Sequence, residues 1–105
     1  MNDLFVYNER LGIFIPTLLK EWNEYEKNIQ QKILLQWDHI RGIIPDRIKT
    51  LEVIINQKQD ELSNENDFAR SCELNFDIAE LASIINDLWL WYRLNQDLSE
   101  QKVHA

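Results

Sequence analysis

From Leu74 to Tyr92 the large apolar residues Leu74, Ile78, Leu81, Ile85, Leu88 and Tyr92 recur at spacings of 4, 3, 4, 3 and 4. Steps of three and four return to one face of an α-helix, which turns once in about 3.6 residues. A second series, Leu18, Trp22, Tyr25, Ile29, Ile33, Trp37 and Ile40, steps by 4, 3, 4, 4, 4 and 3, and Leu34 and Leu35 widen it midway. A third comprises Ile48, Leu51, Ile55 and Leu62, broadened by Ile54 and interrupted by Lys58. With two Gly and two Pro in 105 residues the chain has few places to turn, so long helices are the natural elements.

The punctuation suggests three of them. Pro16 suits the first turn of a helix running over 16–41 up to Gly42; Pro45, followed by Asp46, starts a second over 45–64. The polar stretch 63–67, SNEND, separates it from a third over 67–98, either continuous or broken at Asn75, which could cap a new start. Residues 99–105 read as a frayed tail. Ahead of the helices, Leu4–Tyr7 and Ile13–Ile15 are β-prone runs around NERLG, so residues 1–15 form an extended arm or a short β-hairpin turning at Gly12. The expected architecture is all-α: one domain, an antiparallel up-down-up three-helix bundle with this N-terminal arm or hairpin.

Composition excludes several functions. The net charge of −7 is uneven: residues 1–58 hold eight acidic and eight basic residues, while 59–100 hold ten acidic residues with only Arg70 and Arg93. No basic face exists for nucleic acid. No apolar run approaches the ~20 residues of a membrane span, and the start MNDLFVYNER lacks a secretory h-region, so a soluble cytoplasmic chain is expected. Cys72 is the single cysteine, which rules out an internal disulfide and suggests a small buried apolar residue.

The stretch NDLWLWYR at 86–93 is the oddity, because five large apolar residues in succession point all around a helix. In a three-helix bundle the third helix, at about 48 Å unbroken, outruns the other two, and its last turns pass the 42–45 turn uncovered. Leu88, Trp89, Trp91, Tyr92 and Leu98 are accordingly the candidate interface, and a second copy is the simplest cover. If the third helix breaks at Asn75, the same aromatics close an ordinary core with Trp37.

Chemistry is sparsely signposted. Glu21 with Glu24 and Asp77 with Glu80 resemble the paired carboxylates of all-α nucleotide pyrophosphohydrolases, and an antiparallel bundle would bring both pairs to one end. Such i, i+3 acidic pairs nevertheless occur here at the frequency chance gives in a chain with 18 acidic residues. His39 reads as a surface residue and His104 lies in the tail, so no ligand cluster forms. No glycine-rich phosphate loop is present, and the aromatics, Tyr25 among them, suit a core better than a planar ligand. No metal, cofactor or catalytic residue is expected. The reading is a small helical protein-interaction module, homodimeric and without catalysis. Two alternatives remain: an acidic inhibitor or masking protein of antitoxin or immunity type for a basic partner, and the carboxylate–metal pyrophosphohydrolase.

Overall fold

A computed structural model of the chain describes residues 4–104, with side chains described over 4–94. Two strands, β1 (Phe5–Asn8) and β2 (Ile13–Pro16), precede a 3₁₀ turn (Trp22–Glu24) and two helices of 37 residues, α1 (Lys27–Ser63) and α2 (Phe68–His104). The helices fold back on each other, and 37 residues at about 1.5 Å each account for the 59 Å long dimension.

The β-hairpin forms where the β-prone runs place it. β1 and β2 pair antiparallel, with Phe5 opposite Pro16 and Asn8 opposite Ile13. Gly12 has a φ of +75°, a left-handed conformation that costs other residues steric energy. The Asn8 side chain accepts from the Leu11 N–H at 2.9 Å, closing the turn.

The three-helix expectation does not hold. Residues 27–63 form one helix straight through Gly42 and Pro45. Ile44 explains why: it lies four residues from both Ile40 and Ile48 and joins their two series into one buried stripe, Ile33, Trp37, Ile40, Ile44, Ile48 and Leu51. A turn at 42–45 would have pulled Ile44 out of the core. The missing N–H of Pro45 costs less than opening that stripe.

The first helix also starts later than Pro16 suggests. Pro16 is held in β2 opposite Phe5, and the Thr17 N–H donates to the Leu4 carbonyl at 2.8 Å, which carries the ladder one residue further. Trp22 and Tyr25 reach the core edge from the connecting segment, where Glu21 and Glu24 form a capping box around the 3₁₀ turn. At the closed end the predicted break is real: residues 64–67 link the helices, and Asp67 caps α2 through its side chain to the Arg70 N–H at 3.2 Å. Asn75 neither caps nor breaks α2, which keeps Leu74 and Ile78 on one face, and the helix continues through 99–104 where a frayed tail was expected.

The hairpin is clamped across the middle of the helix pair by arginines. Arg10 donates to Glu80 at 3.1 Å, Ser83 at 2.9 Å and Asp87 at 2.7 Å on α2, while Arg47 of α1 donates to the Leu11 carbonyl at 3.0 Å. Phe5, Leu11 and Ile13 thereby join Ile40, Ile44, Ile48, Ile84 and Leu88 in a single core. This third layer covers only part of the helical hairpin.

Candidate interaction surface

The stretch 86–93 divides around α2 as its periodicity demands. Leu88 is completely buried against α1. Trp91 packs edge-on to Trp37, ring centres 5.7 Å apart, and Tyr92 lies beneath Arg41, whose guanidinium carbon is 4.1 Å from the ring centre. Arg41 Nε also donates to the Tyr92 carbonyl at 3.1 Å, so one side chain fixes both ring and backbone. The expected overhang is absent because α1 has no turn at 42–45 and runs alongside this stretch. Of the candidate interface residues, Leu88, Trp91 and Tyr92 face their own chain. Trp89, stacked edge-on against Tyr92 at 5.5 Å, keeps an exposed side, and Leu98 lies outside the described side chains.

Two exposed residues that the aromatic run drew attention away from, Leu90 and Leu94, stand beside Trp91 on a groove of about 790 Å³ between α2 and the hairpin. Leu11 and Ile15 form its opposite wall, with Arg10, Asp87 and Arg93 at the rim. Further along α2, Phe68 is 81% exposed and Phe76 72% exposed. The hairpin adds Val6 and the edge-on pair Tyr7 and Phe14, 5.1 Å apart. Among the described residues, 13 large hydrophobics are exposed and 12 hydrophobics are buried. Isolated exposed leucines are ordinary; the grouping of Leu90 and Leu94 beside Trp91 and the hairpin groove is the kind of apolar patch that marks a contact surface.

The carboxylate pairs do not assemble. Glu21 and Glu24 turn toward each other's backbone at the 3₁₀ turn. Asp77 binds Lys58 at 3.1 Å, and Glu80 binds Arg10. Among the described residues no group of three or more His, Cys, Asp or Glu is placed to hold a metal ion. His39 is exposed on α1 beside Lys32, Leu35 and Gln36. Cys72 is exposed as well, contrary to the buried position expected of a lone cysteine, because it lies on the side of α2 turned away from Leu74 and the core. The two are roughly 30 Å apart along the helix pair.

Five carboxylates of the acidic segment are held by the chain's own cations. Glu61 and Glu73 both bind Arg70, at 2.9 and 3.0 Å, and Glu80 and Asp87 both bind Arg10. These contacts raise the Arg70 and Arg10 pKa values above the usual arginine range, chiefly through the hydrogen bonds to Glu61 and to Asp87 respectively. No described helix is long and apolar enough to cross a membrane. No family model, curated protein or solved structure matches the chain.

Proposed function

We propose that this chain is a protein-interaction module that works as a homodimer and carries no catalytic activity. The observation behind this reading is the excess of exposed large hydrophobics on a two-helix frame whose third layer stops short. A two-layer element of this kind buries its remaining apolar surface most simply against a second copy, as a four-helix arrangement. The alternative of an acidic mask for a basic partner draws less support, since Glu61, Glu73, Asp77, Glu80 and Asp87 are already bound by the chain's own cations. Light scattering at micromolar concentration tests the reading: the expected mass is twice 12.6 kDa. A mass of one chain at all concentrations would remove it.

A further inference from the structure

The back of α2, the side turned away from α1, differs in chemistry from the outer side of α1. At about 100° per residue, the exposed side chains of Phe68, Phe76, Trp89, Leu90 and Leu94 fall within one sector about 140° wide. No carboxylate lies in that sector between 68 and 94. The four that α2 carries there, Glu73, Asp77, Glu80 and Asp87, project along its flank and toward α1, where Arg70, Lys58 and Arg10 bind them. Arg93 is the one charged residue that α2 itself places in the strip, which also holds Ser71, Asn75 and Asn86, and Arg10 reaches its edge at Ser83. By contrast, the outer side of α1 mixes its exposed Leu35, Ile43 and Val53 with Lys32, Asp38, Asp46, Lys49 and Glu52.

Size is also patterned along the strip. Phe68 and Phe76 occupy one end and Trp89, Leu90 and Leu94 the other, while Ala79, Ala82 and Ser83 lie exposed at the midpoint. Small residues at a crossing let two helix backbones approach closely, and large ones fill the wedges that open on either side.

Resting on the homodimer reading, we infer that two copies join back to back through this strip, their α2 helices antiparallel about a two-fold axis near Ala82. The charge pattern selects a second copy. Each chain carries a net −7, so two copies repel least where they meet through a face free of carboxylates, and this strip provides one along about 40 Å of helix. An antiparallel pairing centred there sets Phe76 of each copy against Trp89 and Leu90 of the other. The strip meets the hairpin groove at Leu90 and Leu94, so the same contact covers the open side of that groove.

The test uses the full chain in two forms. Ala79→Glu with Ala82→Glu keeps good helix formers at exposed positions but sets like charges face to face across the proposed axis. Circular dichroism should show unchanged helicity, and light scattering should show the mass falling to one chain. Leu35→Glu on α1, as a control, should leave the dimer intact. Independently, Ala82→Cys with Cys72→Ser should give a disulfide-linked dimer on mild oxidation, since the axis brings the two introduced thiols together. A wild-type chain that is monomeric at every concentration overturns the dimer reading itself. A wild-type dimer that persists in Ala79→Glu/Ala82→Glu and fails to cross-link through Ala82→Cys overturns only this surface, and the dimer then forms elsewhere.

Discussion

Ile44 is 0% exposed and its neighbour Ile43 is 47% exposed, so the pair measures the rotational setting of α1. Ile44→Ala should destabilise the fold by about 2–5 kcal/mol, as truncating an enclosed isoleucine does, and Ile43→Ala by under about 1 kcal/mol. Denaturant titrations of the two variants check the difference, and equal losses would mean the helix is rotated. Gly12 is the other position where one atom decides. A β-carbon there would meet a left-handed backbone and come within 2.5 Å of Arg47 Nε, the atom that donates to the Leu11 carbonyl. Gly12→Ala should therefore cost about 1–3 kcal/mol from strain and the disturbed hydrogen bond. The four carboxylates of the metal reading have other partners. Glu21 and Glu24 are engaged with each other's backbone, and Asp77 and Glu80 with Lys58 and Arg10. Millimolar magnesium or manganese should leave the melting midpoint unchanged, whereas an ion at 100 times its Kd would add about 2.7 kcal/mol; a rise of several degrees would restore the hydrolase reading.

At the scale of elements, the continuity of α1 has a sharp test in Gly42, which would place a β-carbon in open space with nothing within 4 Å. In an exposed helix interior, Gly→Ala stabilises by about 0.5–1 kcal/mol, and Gly42→Ala should raise the midpoint by a few degrees. Were Gly42 a left-handed turn residue, the same change would lower it. Pro45→Ala should stabilise too, by restoring an N–H to the helix ladder. These two residues are why the sequence read as three helices. Each punctuates a helix when taken alone, and the stripe that runs past both depends on Ile44, which lies between the series ending at Ile40 and the series starting at Ile48. The β-hairpin was readable to within about a residue at each strand because its signals are local: β-branched and aromatic runs around a glycine. The delay of α1 to Lys27 was not, since it follows from pairing between residues on opposite strands of that hairpin. Arg10 links the two levels. Asp87, and then Glu80, raise the Arg10 pKa above its unfolded value, so this contribution is present at neutral pH and is lost as alkaline pH passes through the folded value. Arg10→Gln should therefore speed amide exchange in β1 and β2 at neutral pH while the centre of α1 stays protected. Unchanged exchange would mean the apolar contacts of Leu11 and Ile13 hold the hairpin by themselves.

At the scale of the whole molecule, the aromatic run at 86–93 turned out to serve two sides of one helix. Leu88, Trp91 and Tyr92 complete the chain's own core against Trp37 and Arg41, while Trp89 and Leu90 belong to the uncovered strip that continues to Phe68. The sequence exposed the surplus of apolar residues but not its division, because that division needs the axis of α1 as a reference. A carboxylate-free contact between two acidic chains also has a distinctive salt response. Added salt screens the mutual repulsion, so association should hold or strengthen from low to physiological ionic strength, whereas an acidic mask would lose its basic partner. Small-angle X-ray scattering tests the central claim, that one chain leaves too much apolar surface uncovered to stand alone. The single chain has a Cα radius of gyration of 18.1 Å and a mass of 12.6 kDa. The account predicts forward scattering for twice that mass at micromolar concentration, with a larger radius; scattering that matches one chain, unchanged as concentration rises, would contradict it.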